Sequence, residues 1–223
     1  MRNVTVALVE RLLHLDSCAV SDALDSLEFT GCASGIVQLA GTGRIAGSVV
    51  TVRLAAGKPP TTAARHLATG AIEAADQGDI IVIEQRTGIE AAAWGGVLSH
   101  AAQYRGVAGA IIDGPARDID ESRALGFPVF ARSATALTAR GRIHEADFNC
   151  PVRIGELTVH PGDLVIADAS GVVFIPASRA EEVITAAERI MAREGLMVKD
   201  LAQGDPASQV MGMDYENMLK DNR

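Results

Sequence analysis

The sequence predicts a single α/β domain in which part of the sheet is parallel. Two apolar segments rich in β-branched residues, 80–83 and 107–112, each follow a segment of helical character, at about 61–76 and 91–104. Strands that alternate with helices of this length form βαβ units, whose strands run parallel. A chain of 223 residues that is 48% hydrophobic has enough apolar side chains for one complete core, as is usual for domains of this size.

The segments before this unit are predicted to form two helices and a strand. Apolar residues recur at helical intervals over 5–15, and a second, short helix is predicted over 20–27, where Asp22 is interpreted as a helix cap. The segment 48–54 is β-branched and flanked by glycines, which predicts a strand. We expect both helices to pack on the sheet.

The segments after the unit are predicted to form a more antiparallel region. The predicted elements are a helix over 118–125, a strand over 128–130, a hairpin over 152–159, strands over 164–167 and 172–175, and a long helix over 178–193. Residues 1–195 would form the α/β domain, and residues 196–223 a C-terminal arm that contains four methionines. Apolar side chains on such an arm favour docking onto a neighbouring subunit or packing on the domain itself.

The charge and cysteine content restrict the partners and the compartment. A formal net charge of −8 opposes binding to the phosphates of nucleic acid, which requires clustered Lys and Arg. The three cysteines lie far apart in the sequence, without ligand or disulfide spacing, which is typical of a reducing cytoplasm. No apolar run approaches the ~20 residues of a membrane helix, and the first residues lack the order of a signal peptide. We therefore expect a cytoplasmic protein that binds neither nucleic acid nor membrane.

The segment 109–121 carries the clearest chemical pattern. A strand is predicted to end at Asp-Gly-Pro, and the turn presents Arg117 beside Asp118, with Glu121 one helical turn later. Carboxylate oxygens suit a hard divalent cation, and a guanidinium group binds a substrate carboxylate through two hydrogen bonds. The same residues also suit a helix N-terminus whose acids complement the helix dipole, with Arg117 in a surface ion pair. The spacing alone leaves both interpretations open.

An ordered set of motifs over most of the chain resembles the RraA-like family. This family includes 4-hydroxy-4-methyl-2-oxoglutarate aldolases with oxaloacetate decarboxylase activity. The motifs occupy residues 20–24, 78–82, 112–118, 126–131, 161–168 and 171–173. The resemblance implies a swivelling β/β/α fold, like that of phosphohistidine domains, with a C-terminal helical arm. It also implies homotrimers or hexamers, with active sites near the subunit contacts.

The resemblance also implies a metal-dependent lyase that cleaves small oxo-diacids to pyruvate and decarboxylates oxaloacetate. Arg117 would bind the substrate carboxylate and Asp118 would bind magnesium or manganese, together with Glu121. Backbone amides at the start of the preceding helix would bind the substrate, and N–H groups at a helix start do form anion sites. The residues of this turn are Gly95, Gly96, Val97 and Leu98.

The lysines favour metal chemistry over an imine mechanism. An imine-forming aldolase needs a lysine in a desolvated pocket, but Lys58 lies at a proline turn, and Lys199 and Lys220 lie in the C-terminal arm. A cation would then stabilise the enolate left by carbon–carbon cleavage or by loss of carbon dioxide.

Two alternatives follow from details of the turn. Gly96 stands 21 positions before the Arg, where aldolases of this family usually carry an acidic residue. The ribonuclease-regulating members of the family also lack that acid, so a non-enzymatic binding protein is one alternative. The sequence Gly-Gly-Val-Leu-Ser-His-Ala-Ala also resembles the phosphorylation segment of phosphohistidine domains. His100 would then carry a phosphoryl group.

Overall fold

A mixed sheet lies at the centre of the computed structural model, which describes residues 2–59 and 65–212, with side chains described from residue 6 onward. The helices are α1 (Arg2–Leu13), α2 (Ser17–Ser26), α3 (Thr69–Ala74), α4 (Gly96–Arg105), α5 (Ile119–Leu125), α6 (Ala180–Gln203) and α7 (Ala207–Val210). The strands are β1 (Val37–Ala40), β2 (Ile45–Ala56), β3 (Ile80–Glu84), β4 (Gly109–Ala116), β5 (Val129–Ala134), β6 (Ile143–Phe148), β7 (Val152–Ile154), β8 (Leu157–Val159), β9 (Leu164–Ala167) and β10 (Val172–Ile175).

The predicted parallel unit is confirmed. Strands β2, β3, β4 and β5 are neighbours in this order and run parallel, while β1 pairs antiparallel with β5 at the edge. The long strand β2 connects this part to a second, antiparallel part. Its first residues pair with β9, and its later residues pair with β3 on one side and β6 on the other.

Four layers follow from the alternation of side chains along the strands. In β3, Ile81 and Ile83 pack against the helices α3 and α4, whereas Ile80 and Val82 pack against the inner face of β9 and β10. The outer face of β9 and β10 packs against α1, α2 and α6, for example through Ile166. Burial on both faces explains why these strands are continuous apolar runs. The order α/β/β/α confirms the expected swivelling β/β/α architecture.

Helix α4 and strand β4 have boundaries different from the predicted ones. The helix begins at Gly96, not at residue 91, because the preceding residues extend along the end of β4: Ala93 N–H donates to Pro115 O (2.9 Å). The strand β4 does not end at Asp113 but continues to Ala116. Proline is accommodated within this strand because the register with β5 shifts between Ile112 and Pro115, and such irregularities need no proline N–H.

The remaining differences lie at the ends of helices and at the sheet edges. Helix α3 begins only at Thr69, and residues 61–64 of the predicted helix lie outside the described residues. Helix α6 extends past its predicted end at 193 to Gln203. The strands β1 and β6 were not predicted. Docking of the 196–223 arm on a second subunit stays a prediction, and its residues from 213 onward are not described.

The cap of α2 is Asp16, and the prediction that Asp22 caps this helix is wrong. The Asp16 carboxylate accepts a hydrogen bond from the backbone N–H of Ala19 (2.8 Å). Asp22 lies inside the helix, where burial, followed by repulsion from Asp25 and Asp16, raises the pKa of its carboxyl group. The two aspartates therefore have opposite effects on stability.

We expect Asp16→Ala to lower the free energy of unfolding by about 1 kcal/mol, the usual cost of losing a helix N-cap. Asp22→Asn is the matched comparison. A carboxyl group whose pKa is raised by folding opposes folding where it is ionised, so removal of its charge should leave stability at neutral pH unchanged or increased. Urea denaturation of both variants at pH 7 measures the difference. A larger loss in Asp22→Asn than in Asp16→Ala would contradict this assignment.

No helix in the part of the chain that the structure describes combines the length and apolar character needed to cross a membrane.

Candidate functional site

The end of β4 and the start of α5 place Arg117 and Asp118 at the carboxyl end of a central strand of the sheet. The backbone N–H of Arg117 donates to Trp94 O (2.9 Å), which extends the pairing of Trp94 with Ala116. Asp118 then adopts a left-handed conformation (φ 55°), which aspartate and asparagine tolerate better than most residues. Its carbonyl oxygen accepts from Ser122 N–H (3.1 Å) and so begins α5. The backbone therefore fixes where both side chains start.

The Asp118 carboxylate binds groups outside its own helix. Its Oδ2 atom accepts from Gly96 N–H and from Arg117 Nε, both at 3.1 Å. It makes no capping hydrogen bond to α5. The surface ion pair that the alternative interpretation expects for Arg117 is present, with Asp118 as its partner. No described residue donates a hydrogen bond to Oδ1, and the terminal nitrogens of Arg117 also lack partners among the described residues.

The Arg117–Asp118 ion pair contributes little to stability. The two side chains are 37% and 35% exposed, and ion pairs of this kind contribute at most about 1 kcal/mol. The pair also leaves one carboxylate oxygen and two guanidinium nitrogens directed to other partners. These free groups are what a cation and a substrate anion require.

Gly96 makes room for the carboxylate of Glu121. A Cβ atom added at Gly96 would lie 1.9 Å from Glu121 Oε2, and one added at Gly95 would lie 2.9 Å from Asp118 Oδ2. The carboxylates of Asp118 and Glu121 thus lie against two successive glycines at the start of α4. The Glu121 carboxylate occupies the space that a side chain at position 96 would need.

A buried pair of serines joins the two helices that carry the site. The hydroxyl groups of Ser99 in α4 and Ser122 in α5 are 2.9 Å apart, and both residues are fully buried. Ser99 Oγ also accepts from Trp94 Nε1 (2.9 Å), and the Trp94 ring stacks on Phe127 with centroids 6.0 Å apart. This network holds the start of α4 beside α5. The sequence pattern did not indicate it, because serines in helices carry no spacing signal.

A cavity of about 490 Å³ opens beside Asp118, within the size range of sites for small molecules. Five of the predicted site residues line it: Gly95, Val97, Leu98, Arg117 and Asp118. Gly96 and Glu121 are not part of its wall. The N–H of Gly96 donates a hydrogen bond to Asp118, which does line the cavity. The structure thus places five of the seven predicted site residues on the wall of one cavity.

The wall also contains basic residues that sequence reasoning missed. They are Arg65 and His66 from the segment before α3, Arg140 from the loop between β5 and β6, and His144 from β6. His144 is oriented by a hydrogen bond of 3.1 Å between Nδ1 and Gly57 O. Because a carbonyl only accepts, Nδ1 must be the donor in this contact. These residues lie far apart in the sequence, so no local motif could have assembled them.

The residues present fit a hydrated divalent ion better than a closed metal cage. Among residues 2–59 and 65–212, no cluster of three or more potential His, Cys, Asp or Glu ligands is assembled. Magnesium commonly retains several waters and uses one or two protein carboxylates together with the substrate. The free Oδ1 of Asp118, with Glu121 one turn away, is a donor set of this kind.

His100 is poorly placed to carry a phosphoryl group. Its Nε2 atom lies 3.3 Å from Glu121 Oε1, and its ring stacks near Tyr104 on the exposed face of α4. A phosphoryl group on Nε2 would face this carboxylate, and like charges at such a distance repel. The geometry therefore disfavours the carrier alternative.

The chain thus combines a layered α/β fold with a carboxylate–guanidinium pair at the end of a central strand. The chain belongs to the RraA-like family, Aldolase/RraA, whose model matches residues 17–174. It is 32% identical over 190 residues to the protein named "Putative 4-hydroxy-4-methyl-2-oxoglutarate aldolase" of Halalkalibacterium halodurans, covering 85% of this chain and 86% of that protein. The family resemblance expected from the sequence is confirmed.

Two further similarities concern the length of a related protein and the fold. The chain is 29% identical over 202 residues to Protein DlpA of Legionella pneumophila, covering 91% of this chain but only 33% of that protein, so it spans a third of this relative's length. The crystal structure of Streptomyces coelicolor RraAS2, described as an unusual member of the RNase ES inhibitor RraA protein family, superposes with a TM-score of 0.75 at 23% identity. The superposition covers 89% of this chain and 96% of that one. At this identity the likeness establishes the fold.

Proposed function

We propose that this protein is a divalent-metal-dependent lyase that cleaves 4-hydroxy-4-methyl-2-oxoglutarate-like oxo-diacids to pyruvate and decarboxylates oxaloacetate. The observation that carries the proposal is the state of the Asp118 carboxylate. One of its oxygens accepts from Gly96 N–H and Arg117, while no residue that the structure describes donates to the other, and Asp118 lines a cavity large enough for such a substrate. The name of the Halalkalibacterium relative supports the same reaction class.

Each predicted residue has a distinct task in this proposal. Arg117 would donate its terminal N–H groups to the substrate's carboxylate, since its Nε is already used to hold Asp118. The backbone N–H groups of Val97 and Leu98, in the first turn of α4, would bind the same anion. Glu121 would hold a water molecule close to Asp118. The apolar remainder of the wall would exclude other water.

Asp118, assisted by Glu121 through water, would hold magnesium or manganese. The ion would supply an electrophile for the 2-oxo and carboxylate oxygens and would stabilise the enolate. In aldol cleavage the 4-hydroxyl proton passes to a base and the C3–C4 bond breaks. Its electron pair remains on C3 as the enolate, which takes up a proton to give one pyruvate, while C4 becomes the carbonyl carbon of a second pyruvate. Loss of carbon dioxide from oxaloacetate leaves the same enolate.

Pyruvate release tests the proposal directly. The purified protein would be given oxaloacetate or 4-hydroxy-4-methyl-2-oxoglutarate with magnesium, with manganese or with a chelator. We expect pyruvate from both substrates. With the chelator, the rate of pyruvate release should fall to the rate measured without enzyme. Absence of turnover under every condition would contradict the proposal. It would favour the ribonuclease-regulating alternative, which a pull-down of a ribonuclease from cell extract would then examine.

Gly96→Ala is expected to lower kcat/KM on the order of tenfold with almost no loss of stability. The new Cβ would displace the Glu121 carboxylate, which is the far end of a flexible and half-exposed side chain. Rotation of that side chain relieves the clash, so the cost falls on the site and not on the fold. Alanine is also favoured over glycine inside a helix. Steady-state kinetics and a thermal melt of the same sample separate the two effects.

Glu121→Ala supplies the control for this substitution. If Gly96→Ala acts by displacing Glu121, it should have little further effect in a chain that already carries Glu121→Ala. Equal effects of Gly96→Ala in the two backgrounds would show that it acts through another contact.

A further inference from the structure

The cavity wall is more positive than the protein as a whole. Its charged side chains are three arginines, Arg65, Arg117 and Arg140, and one carboxylate, Asp118, in addition to two histidines. The chain carries a net charge of −8, so this excess of guanidinium groups is concentrated at the cavity. Clefts of one charge sign attract ligands of the opposite sign.

The three arginines differ in what already neutralises them. Arg117 is paired with Asp118. The guanidinium group of Arg65 lies over the Phe148 ring, 5.8 Å from its centroid. Arg65 also interacts with the Glu145 carboxylate. Burial raises the pKa of that carboxyl group, and the charge of Arg65 offsets part of this rise. Arg140 has no carboxylate partner among residues 2–59 and 65–212.

Arg140 belongs to a loop with its own internal hydrogen bonds. Its backbone N–H donates to Thr138 Oγ1 (3.3 Å), and Arg142 Nη1 donates to Thr138 O (3.1 Å). The loop is thus held by the backbone of Arg140 and the side chain of Arg142, and the guanidinium group of Arg140 is not used to hold it. Arg140 lines a ligand-sized cavity, and no residue that the structure describes pairs with its guanidinium group, so this group is available for a ligand.

We infer that Arg140 forms a second anion subsite, which binds the far carboxylate of an oxo-diacid whose 2-oxo-acid end lies at Arg117 and Asp118. The inference rests on the proposed function for the position of the near end. His144 also lines this cavity. The subsite selects dianionic oxo-acids over monoanionic ones of the same shape.

A pair of stable probes tests this selection by binding alone. 2-Oxoglutarate carries a second carboxylate, and 5-methyl-2-oxohexanoate carries an isopropyl group of similar shape in its place. Calorimetry of the full chain with magnesium should show 2-oxoglutarate binding at least about tenfold more tightly, as one charge-assisted hydrogen bond provides. Arg140→Gln should remove this preference by weakening 2-oxoglutarate alone, and Arg140→Lys should retain part of it.

Arg189→Gln is the control. It removes the same charge from an exposed residue of α6 that does not line the cavity, so the preference for 2-oxoglutarate should persist. The inference is overturned if the wild type binds both probes equally, or if Arg140→Gln weakens both to the same degree.

The same variants separate this inference from the proposed function. Failure of the proposed function would appear as absence of pyruvate release, or as turnover that is insensitive to Asp118 and Arg117. Failure of the subsite would give a different pair of results. Turnover would still depend on Asp118 and Arg117, but Arg140→Gln would leave the ratio of the two probe affinities unchanged.

Discussion

Asp118→Asn is expected to lower kcat/KM for oxaloacetate decarboxylation by more than about a hundredfold, because a neutral amide is a poor ligand for magnesium or manganese and metal charge contributes several kcal/mol to such reactions. Asparagine preserves the size of the side chain and tolerates the left-handed backbone found at this position (φ 55°). Its amide oxygen can also still accept the hydrogen bond from Gly96 N–H. Steady-state kinetics over a range of manganese concentrations measure the loss, and excess metal should restore little of it.

Asp120→Asn is the control for this substitution. Asp120 lies two residues further along and its side chain is almost fully exposed, so removing its charge should leave kcat/KM within about twofold, as for most surface changes. Asp118→Asn with activity close to that of Asp120→Asn would show that the metal is held elsewhere.

Arg117→Ala is expected to reduce kcat/KM by about tenfold to a hundredfold. The loss corresponds to one charge-assisted hydrogen bond, worth roughly 1.5–3 kcal/mol. Arg117→Lys keeps the charge but not the planar pair of donors, so it should recover only part of the activity. Kinetics with oxaloacetate, analysed as separate kcat and KM values, show whether the contact acts on the bound substrate or on the transition state.

Arg123→Ala serves as the control for Arg117. Arg123 is exposed on α5, where it donates to Leu39 O and pairs with Asp120, and it does not line the cavity. Its removal should not change kinetics. Full activity in Arg117→Ala would contradict the role of this guanidinium group in substrate binding.

The local patterns in the sequence predicted the central strands and the place of the site. Strand β3 is a continuous run of β-branched residues from Ile80 to Ile83 because both sheet faces are buried, and β4 contains a shorter apolar run that ends at Ile112. The order Arg-Asp at the end of a buried strand also predicted where the side chains of the candidate site lie. Both features depend on neighbours in the chain, which a sequence displays directly.

Other features of the site depend on contacts between distant segments. Gly96 could be identified as a departure from the aldolase pattern, but only the packing of α4 on α5 places the Glu121 carboxylate in the vacated position. The hydrogen bond from Gly96 N–H to Asp118 and the Ser99–Ser122 pair arise from the same packing. Arg140 reaches the cavity from a loop after β5, and no spacing relates it to Arg117. Such contacts exist only once the chain is folded.

Binding of manganese and pyruvate to the wild type and to Asp118→Asn is the most direct measurement. Electron paramagnetic resonance of bound manganese reports the occupied site independently of turnover. We predict that pyruvate alters the spectrum of manganese bound to the wild type, and that Asp118→Asn abolishes manganese binding at the same concentrations. Equal manganese binding in the two proteins, with the same response to pyruvate, would contradict the assignment of Asp118 as the metal ligand at the end of β4.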